Sequence, residues 1–143
     1  MKANGTQGNG SLQGKRILLL GGTSGFGQAT ALAAANEGAE VIVVSSRQQR
    51  VDEALADLPA GSKGYTADLS DEQQIEGLFK EVGQFDHLVF TAGETLQLSE
   101  LTSLNMDDAR QFFNPRFLGA LMAAKYGSSF IRKGGSIALL TAP

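Results

Sequence analysis

From Lys15 onward the chain alternates short apolar runs with longer stretches of helical periodicity, the alternation expected of β-α-β units feeding a parallel sheet. Arg16-Ile17-Leu18-Leu19-Leu20 is a continuous apolar run, as a strand covered on both faces requires, and Gly21-Gly22 ends it. Gly25 to Glu37 carries Ala and Leu at helical spacing and stops at Gly38, a suitable C-terminal cap. Val41 to Val44 reads as a second, β-branched strand, Arg47 to Leu58 as a helix ended by Pro59, and Lys63 to Thr66 as a third strand. Asp71 to Val82 reads as a helix with Ser70 as N-cap, and Leu88 to Phe90 as a fourth strand beginning near His87. A long helical stretch from about Asn105 to Ile131, interrupted at Pro115, precedes a fifth strand over Ser136 to Leu140.

Right-handed crossovers leave few ways to arrange such units. The pattern predicts an α/β fold of the Rossmann type: a doubly wound parallel sheet in the order 3-2-1-4-5, with helices on both faces. The ligand crevice then falls between strands one and four, at the carboxyl ends where the turns Gly21 to Gly27 and Thr91 to Gly93 are rich in small residues.

Composition narrows the function classes. The 143 residues suffice for one core, and 42% hydrophobic with 19% charged residues is a globular balance with no apolar run long enough to span a bilayer. A formal net charge of -3 without a basic stripe argues against nucleic acid and a membrane as partners. The absence of cysteine excludes a disulfide framework, a thiolate nucleophile and a Cys-based metal site, and makes a reducing cytoplasm the default location. Residues 1–13, rich in Gly and Asn, read as a flexible tail before a domain covering 14–143.

The strongest chemical signal is Gly21-Gly22-Thr23-Ser24-Gly25-Phe26-Gly27, between a buried strand and a helix N-terminus. Glycines let the backbone approach a pyrophosphate, and the helix end offers unpaired N–H donors and partial positive charge. Packing of helix against strand would also require small residues, so the turn alone does not decide. A P-loop is excluded, because Gln28-Ala29 stands where a Lys followed by Ser or Thr is needed.

Strand two ends at Ser45-Ser46-Arg47, where an NAD or methyl-donor site would often place a carboxylate for the ribose hydroxyls. A hydroxyl followed by a guanidinium suits the 2′-phosphate of NADP instead, which favours NADP over NAD. Arg47 alone is equally an ordinary solvated residue in the first turn of a helix.

GGTSGFG, the SSR after strand two, Asp68-Leu69 after strand three and Thr91-Ala92-Gly93 after strand four together resemble the short-chain dehydrogenase/reductase family over Lys15 to the C-terminus. The resemblance implies hydride transfer between nicotinamide and a small carbonyl or alcohol. It implies that Gly21, Thr23, Ser24, Gly25, Phe26 and Gly27 hold the phosphates, that Asp68 and Leu69 lie against adenine, and that Thr91, Ala92 and Gly93 lie along the ribose and nicotinamide side, beside Ser46 and Arg47.

Several positions depart from the family pattern. Leu20 stands in place of a Thr, Phe90-Thr91 in place of Asn-Asn, and Arg116 in place of the Asn of an Asn-x-x-Gly that supports a proton relay. Asn114, two residues away on an α-helix, points to a different face. The family's Tyr with Lys four residues later is absent from this sequence: Tyr65 is followed at that spacing by Leu69 and Tyr126 by Phe130, and Thr141 falls one position before the family's Ser. No catalytic residue and no metal ligand is therefore assigned, and a non-catalytic NADP(H)-binding module or assembly subunit is the alternative, with a methyl-donor domain ranked last.

Phe112, Phe117, Leu121 and Met122 suggest an apolar face on the 105–131 helix, which predicts a homo-oligomer through it or a longer protein. The single histidine, His87, is read as a tolerated strand residue, and Asp71-Glu72 and Asp107-Asp108 as acids that complement helix dipoles.

Overall fold

The computed structural model describes residues 10–93 and 98–140. Five parallel strands form one sheet in the order β3-β2-β1-β4-β5. They are β1 (Arg16–Leu20), β2 (Glu40–Ser45), β3 (Lys63–Thr66), β4 (Phe85–Phe90) and β5 (Ile131–Leu139), with helices α1 (Gly25–Asn36), α2 (Gln48–Asp57), α3 (Glu72–Val82), α4 (Met106–Phe113) and α5 (Gly119–Gly127) between them. The doubly wound Rossmann topology expected from the sequence is therefore present.

The run Ile17-Leu18-Leu19-Leu20 shows why no hydrophobic/polar alternation is visible. Leu18 and Leu20 join Ile42 and Val44 in a core beneath α3 and α5, while Ile17 and Leu19 join Val41 and Val43 beneath α1 and α2. A strand with one core on each face needs apolar side chains at every position. On the α1 side the buried residues of the helix are Gly27, Ala31 and Ala34, so small residues let it lie close to the sheet. On the other side Phe79 fills the space between Phe85 and Phe130, with ring centroids 5.9 and 6.4 Å apart.

The structure corrects several boundaries. β4 begins at Phe85, so His87 lies inside the strand, paired with Ile17 and Ser136, and its Nδ1 is 2.8 Å from the Ser136 hydroxyl. Asp86 disguised this extension, because a carboxylate in a central strand is tolerated only with partners. It has them: its Oδ2 accepts from the Arg16 N–H at 2.8 Å and from the Arg132 guanidinium at 3.1 Å. Burial pushes this carboxyl up, but the Arg16 N–H and the charges of Arg132 and Lys15 outweigh it and hold Asp86 below the usual range. β5 likewise starts early, at Ile131, with a bulge between the pairs Phe85–Ile131 and His87–Ser136.

At the start of α3 the cap is Asp71, not Ser70: its Oδ1 accepts from Gln73 N and Gln74 N at 3.0 and 3.2 Å. Glu72 does more than complement the dipole, for it accepts from the Tyr126 hydroxyl at 2.6 Å and Lys125 Nζ at 3.2 Å, tying α3 to α5.

The helical stretch read over 105–131 is three pieces, with a π-helical turn over Asn114–Leu118 between α4 and α5. Pro115 has no N–H to give an α-helical bond, and the wider turn closes with Gly119 N–H donating to Asn114 O. Phe113, Phe117 and Leu121 are exposed on this stretch, whereas Met122 packs on the core and Phe112 is half-buried, so the bare face is only partly the one expected. At the other end of the chain, Ser11 donates to the Glu37 carboxylate and Leu12 packs beside α1, within the segment that composition reads as a tail. Residues 1–9 lie outside the described residues.

Candidate functional site

At the carboxyl ends of β1, β2, β3 and β4 lies an open crevice of about 960 Å³. Its floor is the turn from Gly21 to Gly27. Gly21 has φ +95°, and a Cβ there would sit 2.7 Å from Ala92 N, so the turns after β1 and β4 can touch only because this residue has no side chain. The Thr91 hydroxyl donates to Gly21 O at 3.2 Å and Thr91 N–H to Leu20 O at 2.9 Å, fastening the two turns together. Leu20, the other departure nearby, is fully buried and extends the core to the base of the turn.

Helix α1 points its N-terminus into the crevice. Ser24 occupies the N-cap but makes no side-chain capping bond, which leaves the first-turn N–H groups of the helix for an external acceptor. Phe26 stands 77% exposed over the same turn. A residue so apolar, held in solvent at the mouth of a crevice, is matched to a ligand with a flat apolar portion.

Every residue that the sequence assigned to the cofactor lines this crevice. Their states differ. Ser46 and Arg47 are exposed on the wall at the end of β2, while the Ser45 hydroxyl is turned inward to accept from Arg47 N–H at 3.3 Å. Asp68 accepts from the Ser70 hydroxyl and N–H at 2.6 and 2.9 Å, bonds that hold its carboxyl below the usual range. Leu69 is 8% exposed and gives most of its side chain to the core.

Other residues that the sequence did not assign to the cofactor also line the crevice. Arg50 reaches the wall from the first turn of α2, and Gln111, Phe112, Asn114 and Arg116 come from α4 and the π-helical turn. Asn114 and Arg116, expected on different faces of an α-helix, both line this open crevice, and the turn that carries them is π-helical. Arg116 lies over the Phe112 ring at 3.7 Å, donates to Phe112 O at 2.8 Å, and runs close past Gly93. Thr141, the sequence's nearest counterpart to the family's serine, lies outside the described residues.

The family model for short chain dehydrogenases matches residues 15–141. The short-chain dehydrogenase/reductase ucsE of Acremonium sp is 35% identical over 142 residues, covering 87% of this chain and 54% of that protein. A solved short chain dehydrogenase/reductase family protein superposes with TM-score 0.82 at 31% identity, covering 88% of this chain and 54% of its own. A small-chain dehydrogenase solved in complex with NADPH superposes with TM-score 0.69 at 29% identity, covering 87% and 49%. The chain spans about half the length of the relatives it matches. On the match to the family model, and on the shared fold and turns, this chain belongs to the short-chain dehydrogenase family.

Proposed function

We propose that the chain holds NADP for an oxidoreductase that moves hydride between nicotinamide and a small carbonyl or alcohol substrate. One observation carries the cofactor choice: the end of β2 presents Ser46 and Arg47 to the crevice, where a carboxylate would repel a 2′-phosphate. The crevice fits the rest of the group. The uncapped N-terminus of α1 would take the pyrophosphate, Asp68 with Leu69 the adenine edge, and Thr91 to Gly93 the nicotinamide side. When bound, NADP supplies the hydride chemistry; the residues of this chain bind and orient it. The NADPH bound to one solved relative supports the same reading.

The test is calorimetric titration with NADPH and NADH, repeated on Arg47→Ala. Loss of a charge-assisted phosphate contact weakens NADPH by about 1.5–3 kcal/mol, toward the NADH level, and leaves NADH unchanged. Equal affinity of the unaltered protein for both cofactors would refute the NADP preference.

A second reading is a non-catalytic NADP-binding module, favoured by Arg116 at the position of the family's relay asparagine. It is distinguished by binding of NADPH without turnover of carbonyl compounds in the full protein. We further place the protein in the cytoplasm; among the described residues no helix is long and apolar enough to cross a membrane. Among the described residues the folded unit begins ahead of position 14, with Ser11 and Leu12 packed beside α1, and association as a homo-oligomer runs through the 105–131 stretch, where Phe113, Phe117 and Leu121 stand 61%, 68% and 57% exposed at a spacing of four. Phe117→Asp should lower the mass measured by light scattering, and an unchanged mass would place the interface elsewhere.

A further inference from the structure

We infer that Arg50 acts with Arg47 as a two-guanidinium clamp on a dianionic phosphate monoester, an assignment that rests on the NADP reading above. The two arginines stand three residues apart across the N-cap and first turn of α2, both exposed and both on the crevice wall. Arg50 N–H donates to Arg47 O at 3.1 Å, which sets the two residues beside one another at the start of the helix.

Their lack of partners distinguishes them. Arg16 pairs with Glu40, Arg110 with Asp107 and Arg132 with Asp86, and Arg116 donates to Phe112 O. Among the described residues no hydrogen bond, ion pair or ring contact engages the guanidinium of Arg47 or of Arg50. The nearest acids along the helix are occupied: Gln48 Nε2 donates to Asp52 Oδ1 at 2.8 Å, and Gln49 Nε2 to Glu53 Oε1 at 2.9 Å. Glutamine thus holds each carboxylate on its own side of the helix, and the arginine charges are left uncompensated.

Without a ligand this placement is unfavourable. Two cations repel one another and also sit at the positive end of the α2 dipole, where acids are the stabilising choice. The first turn of α2 contains no acidic residue. Such a local conflict is resolved by an anion between the two side chains, and a phosphate monoester, with about −1.5 to −2 charges at pH 7, matches two guanidiniums. A diester or a single carboxylate would leave one of the charges unmatched. The inference assigns Arg50 to the 2′-phosphate, where the sequence signalled only Arg47.

The full protein is titrated with 2′,5′-ADP, NADPH and NADH as unaltered chain, Arg47→Ala, Arg50→Ala and Arg50→Lys, at pH 7.5 and pH 5. Arg50→Ala is expected to weaken 2′,5′-ADP and NADPH about tenfold while leaving NADH within about twofold, and Arg50→Lys to recover part of the loss. Intact NADH binding shows that the crevice still forms. The preference of the unaltered protein for NADPH should shrink at pH 5, below the second phosphate pKa of about 6, and that dependence should be weaker in Arg50→Ala. If Arg50→Ala binds NADPH as the unaltered protein does while Arg47→Ala loses its preference, the clamp is overturned and the NADP reading stands. If the unaltered protein does not distinguish NADPH from NADH, the NADP reading fails and the clamp with it.

Discussion

The same substitution at two helical glycines should change stability in opposite directions. Gly77 lies in the interior of α3, exposed, and a Cβ there meets nothing within 4 Å. Gly77→Ala therefore gains only the backbone-entropy difference, about 0.5–1 kcal/mol. Gly27 lies in the first turn of α1, and helix propensity alone predicts a gain of the same sign. A Cβ at Gly27, however, would stand 2.8 Å from the Gly21 carbonyl carbon, closer still to its oxygen, and 2.5 Å from the Thr91 hydroxyl. The obstacle is backbone in the turn that β1 and β4 share, which has no flexible end to move aside. Overpacking of that kind costs about 1–3 kcal/mol, more than the propensity gain. At roughly 3–5 °C per kcal/mol for a domain of this size, thermal unfolding should place Gly77→Ala a few degrees above the unaltered protein and Gly27→Ala below it. Gly27→Ala should also weaken NADPH binding, since relief of the clash displaces the floor of the crevice. A gain in melting temperature for Gly27→Ala matching that of Gly77→Ala would refute the packing described for the turn.

Two pH effects accompany it. Asp86, held below its ordinary range in the fold, contributes stability that is complete above the unfolded value of about 3.9 and is lost as pH falls through the lowered folded value. Asp86→Asn should therefore flatten the acid limb of the stability profile and cost about 1–3 kcal/mol at neutral pH; an unchanged acid limb would remove Asp86 from this role. At the other extreme, the bond to Glu72 is the main cause holding the Tyr126 phenol above its ordinary range, while Tyr126 and Lys125 hold Glu72 below its own. The Tyr126 contribution is present below the unfolded value of about 10 and is lost as pH rises through the raised folded value. Absorbance titration at alkaline pH should show a late tyrosine component that Tyr126→Phe abolishes, and its persistence in that variant would contradict the α3–α5 link.

What was legible in the sequence was whatever is encoded locally. The runs at 17–20 and 41–44 announce strands buried on both faces, because every position faces one of two cores, and Gly21, Gly22 and Gly27 mark places in the turn with no room for a side chain. What escaped depended on distant partners. Asp86 looked like a residue outside a strand until Arg16 and Arg132 supplied its bonds from 70 and 46 positions away. Pro115 signals an interruption, but the π-helical form of the turn over Asn114–Leu118 that lines the crevice is a tertiary outcome. Arg50 was overlooked because its meaning lies in which neighbours leave it unpaired.

A crystal structure of the full protein with NADP⁺ decides whether this crevice receives the cofactor with its phosphates read by α1 and by Arg47. The expected complex has the pyrophosphate over the first-turn N–H groups of α1 and the 2′-phosphate against Ser46 and Arg47. A bound NADP⁺ whose 2′-phosphate points to solvent, or one seated outside the turn from Gly21 to Gly27, would contradict it.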